Sequence, residues 1–487
     1  MRKPDGMFDR DFEWATLIDF STDSMPGATL GIVSGRRRQG KTLLLQELCT
    51  ATGGFYFTAT EATAAESLRL LAHAHAEYAG LSLPLAISSW DDAVDLLLDL
   101  GADRDRSVPV VIDEFPYLCQ AHPALPSIIQ KALAPRSRHR MNSRCRLILC
   151  GSAITFMGRL LSGSAPLRGR AGLDLTVHTF DPRTAAAFWG VTDWTLALRL
   201  HAVVGGTPAY RAEYVRGDVP ASRADFDRWV IQRVLNPSSP LHKEARHLLA
   251  EEGSIRDPGL YHSVLAAIAE GNTTRGSISS YVGRPVDALS HPLTVLEDAG
   301  LVVRENDALR RARSRFRITE PLIAFYHAVM RPEWSHLQAP DAGAGVWEHR
   351  QETFTRKVLG PHFEQLCRWW TATQAATATL GGRAAQVASG VINDPAGKAT
   401  HELDVVAKDA EGRILCLGEA KVGTVLNTSQ LDRLRRAREL LGRAGHDVTQ
   451  CRLLCFSGAG FSPSMQAAAA GRDDVVLVDL ERLYTGD

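Results

Sequence analysis

The segment GIVSGRRRQGKT, residues 31–42, decides the fold of the first part of this 487-residue chain. It matches the pattern Gly-x4-Gly-Lys-Ser/Thr, with a short apolar run before it at 29–34 and a helical pattern after it. In a strand–loop–helix of this kind, the loop N–H groups and the helix N-terminus surround phosphate oxygens. The segment therefore predicts a nucleotide-binding P-loop.

The P-loop and a later apolar run together predict an ATP and Mg²⁺ site. Lys41 is expected to reach the β- and γ-phosphates, and Thr42 to bind Mg²⁺. The run VVIDE at 110–114 has the Walker B form, in which Asp113 holds Mg²⁺ and Glu114 polarises the attacking water. The predicted phosphate-binding residues are Gly35, Arg36, Arg37, Arg38, Gln39, Gly40, Lys41 and Thr42.

Three further residues are candidates for the same site. Ser152 ends the apolar run LILCGS, where it is expected to lie beside the Walker B strand and sense the γ-phosphate; the alternative is an ordinary strand-end serine. In PLRGRAG, Arg168 or Arg170 is expected to act as an arginine finger within the chain or across a subunit interface, and the alternative is a solvated loop arginine. Of the two, Arg170 is the predicted nucleotide-binding residue. For the Arg36–Arg38 run, a position at a subunit interface and a position as solvated surface charge are equally expected.

Periodicity divides the rest of the chain. Strands that alternate with helices predict a parallel, doubly wound α/β sheet at the start. Three helices followed by a β-hairpin predict a winged helix, and a Pro/Gly/Ala-rich stretch predicts a linker. The predicted divisions are an α/β core at 1–183, a helical region at 184–250, a winged helix at 251–332, a linker at 333–347 and a second α/β domain at 348–487.

Composition sets only broad limits. The 55 basic and 55 acidic residues balance, which neither supports nor excludes nucleic acid. Hydrophobic residues make up 45% and charged residues 23%, values typical of soluble globular proteins. No apolar run approaches the ~20 residues that span a bilayer, and the first residues lack the apolar stretch of a signal peptide. We therefore expect a cytoplasmic protein without membrane contact.

The second α/β domain carries another chemical constellation. Two strands joined by the turn DAEG bring Asp404 near Glu419, and strand alternation places Glu419 and Lys421 on one face. Carboxylates bind Mg²⁺ or Mn²⁺, which with Lys421 would activate water at a scissile phosphate. Glu364 is expected as a further acidic ligand and Gln430 as an orienting residue. Ordinary surface carboxylates and lysines are the alternative.

Two arginine-rich segments are candidates for DNA contact. In the predicted winged helix, the segment 285–298 would enter a groove and the basic wing would contact phosphates. The helix at 430–444 is the second candidate. Structural packing and a solvated helix face are the respective alternatives. The arginines concerned are Arg304, Arg310, Arg311, Arg313, Arg315 and Arg317 in the wing, and Arg433, Arg435, Arg436, Arg438 and Arg443 in the helix.

Several segments give the chain a resemblance to a known family. They are FDRDFEW, GRRRQGKT, VVIDEFPYL, LILCGSAITFM, PLRGRA, VVGGTPAY, FRITEPLIAFYHAVMRP and GPHFEQLC. They resemble an archaeal and bacterial AAA+ ATPase family whose members join the ATPase to a winged helix and a C-terminal nuclease-like domain. Gln39 stands where members usually have a hydrophobic residue. The acidic residues resemble the PD-(D/E)XK nuclease pattern, with Leu403 in place of its proline.

The resemblance implies an AAA+ core at 1–183, a helical lid at 184–250 and a restriction-endonuclease-like domain at 348–487. The leading hypothesis is an AAA+ P-loop NTPase that hydrolyses ATP and acts on DNA through the winged helix and a metal-dependent nuclease-like site. One alternative is an ATP-gated signalling switch that forms a homo-oligomer and has an inactive C-terminal domain. Another is a transcription regulator that uses the winged helix.

Overall fold

The computed structural model describes residues 1–250, 257–310, 313–395 and 397–487. The chain divides into two compact units, Met1–Thr179 and Phe180–Asp487. None of the helices in these ranges is long and apolar enough to cross a membrane.

The first unit is built on a five-stranded sheet in which every pair of neighbouring strands is parallel. The strand order is β2-β3-β4-β1-β5. The runs predicted as strands at 29–34, 54–58, 108–115 and 145–152 form the first four strands, and β3 and β4 are buried along their whole length. The strands are β1 (Thr29–Ser34), β2 (Phe55–Thr58), β3 (Val108–Asp113), β4 (Cys145–Gly151) and β5 (Ala171–Thr176).

Helices cover both faces of this sheet. Because side chains alternate along a strand, Val110 and Ile112 pack into one apolar cluster while Val111 packs into another. The patterns at 66–78 and 88–102 correspond to α3 and α4. The helices are α1 (Asp11–Thr22), α2 (Lys41–Thr52), α3 (Ala64–Ala79), α4 (Trp90–Asp99), α5 (Phe115–Ala121), α6 (Leu125–Ala132), α7 (Arg138–Asn142) and α8 (Ile154–Leu160).

The second unit begins with helices and continues with a β-hairpin. Strands β6 and β7 pair antiparallel, Val302 opposite Ile318. A 3-10 turn at Val286–Leu289 precedes α15. The elements are α9 (Pro182–Trp189), α10 (Trp194–Val204), α11 (Arg223–Val230), α12 (Pro240–Ala250), α13 (Pro258–Ala269), α14 (Arg275–Val282), α15 (Ser290–Asp298), β6 (Val302–Asn306), β7 (Ser314–Ile318) and α16 (Pro321–Phe325), with π-helical turns at Tyr210–Tyr214, Ile231–Leu235 and Tyr326–Met330.

The segment 333–347, predicted as a linker, is instead ordered and packed. It contains a 3-10 turn, His336–Gln338, and the start of α17 (Gly343–Thr353). Trp347 is 2% exposed and its ring lies 5.3 Å from that of Phe354. The Pro/Gly/Ala composition misled the sequence prediction, because burial of this large side chain outweighs the low helix propensity of its neighbours.

The last part of the second unit holds a mixed sheet. Its order is β12-β11-β10-β9-β8, in which β8, β9 and β10 run antiparallel to one another and β10, β11 and β12 run parallel. The elements are a π-helical segment Phe354–Leu359, α18 (Gly360–Thr373), α19 (Thr377–Leu380), β8 (Gln386–Asp394), β9 (Ala399–Lys408), β10 (Ile414–Lys421), α20 (Thr428–Arg443), β11 (Arg452–Ser457), α21 (Pro463–Ala469), β12 (Val475–Asp479) and α22 (Leu480–Thr485).

A single apolar cluster extends through the second unit from Ala186 to Tyr484. The division of this unit at 250/251 falls beside residues 251–256, which lie outside the described ranges. The separation into lid, winged helix and nuclease-like domain therefore stays a prediction.

Candidate functional site

The loop between β1 and α2 has the backbone shape that a phosphate cradle needs. Gly35 has φ +148° and Gly40 has φ +88°. A Cβ on Gly35 would lie 2.4 Å from the carbonyl oxygen of Val177, so only glycine fits there. Arg37 donates from its guanidinium to the Tyr117 hydroxyl at 3.0 Å. The predicted loop residues thus form one compact turn at the start of α2.

Arg10 anchors this loop, although the sequence did not single it out. Its guanidinium donates to the carbonyl oxygens of Gln39 at 3.2 Å and His178 at 2.6 Å, and it pairs with Glu13 at 2.7 Å. Arg10 is 7% exposed. Because hydrogen bonds from a charged donor are the strong ones, Arg10 fixes the P-loop to the first residues of the chain. In the sequence, the one indication of a role for Arg10 was its place in FDRDFEW, a segment that carries the family resemblance.

The two predicted Mg²⁺ ligands meet at the C-terminal end of β3. Thr42 donates from Oγ1 to Oδ2 of Asp113 at 2.8 Å. Tyr56, which the sequence did not identify, donates to the same oxygen at 2.7 Å. A hydroxyl and a carboxylate side by side are the oxygen donors that Mg²⁺ prefers, so these residues fit that ion.

Lys41 begins α2 and is almost entirely enclosed. Its ammonium donates to the carbonyl oxygen of Arg36 at 2.8 Å. Burial lowers the pKa of Lys41, and the nearby Glu114 and Asp113 carboxylates oppose that shift. The positive charge thus lies inside the phosphate cradle, close to the acidic pair.

Glu114 has a strained backbone conformation, and its carboxylate is bound by Ser152. Its φ is +52°, in the left-handed region that costs a non-glycine residue about 1–3 kcal/mol. Ser152 follows β4, the strand beside β3, and donates from Oγ to the two Glu114 carboxylate oxygens at 3.0 and 3.1 Å. Ser152 thereby orients Glu114, a contact that the sequence did not predict.

The two finger candidates lie in the loop before β5. Arg168 is exposed and donates to the carbonyl oxygen of Gly163 at 2.7 Å. Arg170 is partly exposed immediately before β5. Which of them acts as an arginine finger stays a prediction.

The acidic residues of the second unit lie near one another on three elements. Asp404 is on β9, Glu419 and Lys421 on β10, and Glu364 on α18. Asp404 accepts a hydrogen bond from the Ala420 backbone N–H at 2.8 Å. Burial, with repulsion from Asp404, raises the pKa of Glu364; burial, with repulsion from Glu419, raises the pKa of Asp404.

Glu419 is bound to two cations. It is 2% exposed, and its Oε1 pairs with Lys421 at 3.1 Å and with Arg433 at 2.9 Å. Burial would lower the pKa of Lys421, but Glu419 and Asp404 outweigh it and raise that pKa. Arg433 on α20 was noted in the sequence only as part of a basic helix.

The three predicted metal-binding carboxylates do not form a ready ligand set. Within the described ranges, no three His, Cys, Asp or Glu side chains converge in a way that would hold a metal ion. Glu419 is turned towards Lys421 and Arg433, and an Asp404 oxygen is taken by the Ala420 N–H. Gln430, predicted to orient the site, instead accepts from the Asn427 N–H and caps α20.

Three of the wing arginines bind to residues of the same unit outside the hairpin. Arg315 pairs with Glu402 at 2.7 Å. Arg317 donates to Gln365 at 2.8 Å and also pairs with Glu305 of the same hairpin at 2.7 Å. Arg310 donates to Asn393 at 2.7 Å. Arg311 lies outside the described residues. The hairpin is therefore docked through several of the arginines that the sequence assigned to phosphate contacts.

Four of the five arginines named on α20 are likewise engaged. Arg436 pairs with Asp394 at 2.9 Å and Arg438 with Asp474 at 2.9 Å. Arg435 pairs with Asp432 on its own helix at 3.0 Å. The Arg433–Glu419, Arg436–Asp394 and Arg438–Asp474 pairs link α20 to other parts of the domain, which favours packing over a DNA groove.

Comparisons with known proteins place the fold. Over 67% of this chain and 97% of the other, the structure is similar to the Walker-type ATPase of Pyrococcus abyssi, with a TM-score of 0.50 and 20% identity. The fold is that of a P-loop NTPase. The ORC2 protein of Aeropyrum pernix is a weaker match, covering 72% of this chain and 97% of that one with a TM-score of 0.41 and 13% identity.

Sequence comparison gives one curated relative to report. An uncharacterized protein of Methanocaldococcus jannaschii is 25% identical over 311 residues, which cover 63% of this chain. The match spans 65% of that relative's length, which is less than two thirds. No family model matches the chain.

Proposed function

We propose that the protein is an AAA+-type ATPase that binds and hydrolyses ATP at the P-loop. The observation that carries this proposal is the contact between Thr42 and Asp113, at 2.8 Å, directly beside the enclosed Lys41. Mg²⁺ held by these two residues would neutralise phosphate charge. Lys41 binds the phosphate oxygens, and the loop N–H groups orient them.

Glu114 is the proposed general base. It accepts a proton from water while the water oxygen bonds to the γ-phosphorus and the bond from that phosphorus to the β–γ bridging oxygen breaks. Ser152 directs the Glu114 carboxylate through its hydrogen bonds at 3.0 and 3.1 Å. Arg170, supplied by the same or a second copy of the chain, would offset charge on the transferring phosphate.

A Glu114→Gln variant tests this assignment. It should retain ATP binding and lose at least about a hundredfold in turnover, since a general base contributes 10²–10⁴-fold. Exposed Glu61, which lies in the same unit, provides the control variant Glu61→Gln. Turnover by Glu114→Gln at the control rate would refute the role of Glu114.

We further propose that the second unit acts on nucleic acid through a PD-(D/E)XK-like site. Glu364, Asp404 and Glu419 offer oxygen ligands that suit Mg²⁺ or Mn²⁺, although Glu419 would have to exchange a cationic partner for the metal. Lys421 would stabilise negative charge on the scissile phosphate. A bound metal ion would lower the pKa of the attacking water.

Cleavage of DNA by the purified chain with Mg²⁺ or Mn²⁺, with and without ATP, tests the nuclease proposal. Asp404→Ala should abolish cleavage, whereas Asp432→Ala, an exposed aspartate of the same unit, should not. Absence of cleavage by the wild type under all these conditions, or cleavage that survives Asp404→Ala, would refute it.

A second candidate function is a nucleotide-dependent switch with an inactive C-terminal site. The pairing of Glu419 with both Lys421 and Arg433 favours it, because a carboxylate that already binds two cations is less available to a metal ion. Mass measurements with and without a nonhydrolysable ATP analogue distinguish the two. Nucleotide-dependent oligomers that have no DNA affinity would favour the switch, and a sequence-specific footprint without cleavage would favour a transcription regulator.

A further inference from the structure

A cleft of about 1060 Å³ lies within the second unit. Its walls come from the β6–β7 hairpin, from α17 and α18, and from β8 and β9. Glu364 and Asp404 both line it, so the cleft leads to two of the proposed metal-binding carboxylates.

The hairpin is a fixed wall of this cleft. The Ala308 N–H donates to the Ser389 carbonyl oxygen at 2.9 Å, and Leu309 packs so closely on Gly390 that a Cβ there would lie 3.0 Å from it. Further along, the 2.7 Å pair between Arg315 and Glu402 ties the hairpin to β9, two residues from Asp404. The hairpin therefore limits what can approach the carboxylates.

The cleft is suited to a chain of phosphates. Seven arginine and lysine side chains line it, against six carboxylates that include Glu364 and Asp404. Among the described residues, Arg356 forms an ion pair with Glu352, and the two side chains are 76% and 80% exposed. Such an exposed pair is weak, which leaves Arg356 available to a phosphate.

We propose that this cleft binds a single strand of nucleic acid, with Arg313 and Arg356 on its phosphates and Glu364 and Asp404 at the scissile one. The proposal rests on the nuclease function proposed above and names its substrate class. Pockets of roughly 300–1,000 Å³ hold one drug-sized ligand. The cleft thus has room for a few nucleotides of one strand, and we expect the docked hairpin to hinder entry of a duplex.

Fluorescence anisotropy of the purified chain with a labelled 12-nucleotide DNA strand, and with its duplex, tests the proposal in EDTA and in Ca²⁺. The single strand should bind at least about tenfold more tightly than the duplex. Arg356→Glu should weaken that binding about tenfold and reduce its salt dependence, because one phosphate contact is lost. Arg223→Glu, at an exposed arginine of α11 outside the cleft lining, is the matched control. Equal melting temperatures show that both variants fold.

Binding of duplex as tight as that of the single strand, or equal losses in Arg356→Glu and Arg223→Glu, would overturn the proposal. Failure of the nuclease function has a different signature. Single-strand binding that depends on Arg356 but never leads to cleavage would keep the cleft and reject catalysis. Cleavage that depends on Asp404 but shows no single-strand preference would support the nuclease function and reject the single-strand cleft.

Discussion

Removing the Ser152 hydroxyl should slow ATP hydrolysis without weakening ATP binding. Ser152 contacts the Glu114 carboxylate at 3.0 and 3.1 Å and is itself 6% exposed. A hydrogen bond to a charged group is worth about 1.5–3 kcal/mol. If Ser152→Ala loses that amount in the transition state, kcat falls about 10- to 150-fold.

Steady-state phosphate release and equilibrium binding of a fluorescent ATP analogue measure the two effects separately. The expected result for Ser152→Ala is a lower kcat with an unchanged Kd. Ser162→Ala, which removes an exposed hydroxyl in the same unit, is the control and should behave as wild type. A kcat within twofold of wild type would refute the reasoning. A selective loss of ATP over ADP affinity would instead indicate that Ser152 senses the γ-phosphate directly.

Three further changes are expected to have measurable effects. Arg10→Ala should weaken ATP binding about tenfold in a titration, because the hydrogen bonds from the Arg10 guanidinium to the Gln39 and His178 carbonyl oxygens are lost. A hydrogen bond from a charged group is worth about 1.5–3 kcal/mol. An unchanged Kd would contradict this prediction. Trp347→Ala should lower the free energy of unfolding by about 3–5 kcal/mol in urea, whereas a loss below about 1 kcal/mol would indicate a loose linker. Burial, aided by His262 and Arg331, lowers the pKa of His327 well below its usual value. Its stabilising contribution is therefore complete above pH ~6.5 and falls at lower pH by up to about 1.4 kcal/mol per pH unit, as the unfolded chain takes up the proton. His327→Phe should remove that part of the pH dependence between pH 7.5 and 5.5, and identical urea midpoint shifts in the two proteins would contradict the assignment.

The parts of the fold that follow from local patterns were predictable. Continuous apolar runs predict β1 to β4 because buried parallel strands contact apolar groups on both faces. Strand β5, with the sequence AGLDLT, was missed since only Leu175 among its residues is buried. The segment around Trp347 was taken for a linker because its composition says nothing of the distant aromatic rings that enclose it.

The site was predictable only where a motif specifies it. The P-loop and Walker B residues can be predicted from their spacing in the sequence. The contact of Arg10 with the P-loop and the contact of Tyr56 with Asp113 depend on the fold and cannot. The sequence shows that the wing and α20 are rich in arginine, but it does not show which residues those arginines bind. Arg315 lies 87 residues from Glu402, so nothing local shows that its charge is already engaged.

ATP hydrolysis by a Lys41→Ala variant tests the central claim most directly. Measured beside the wild-type chain and an Arg443→Ala control, phosphate release by Lys41→Ala should fall to background, and binding of ATP with Mg²⁺ should weaken strongly. Wild-type protein that neither binds nor hydrolyses ATP, or turnover that persists in Lys41→Ala, would contradict the assignment of residues 35–42 as the nucleotide site.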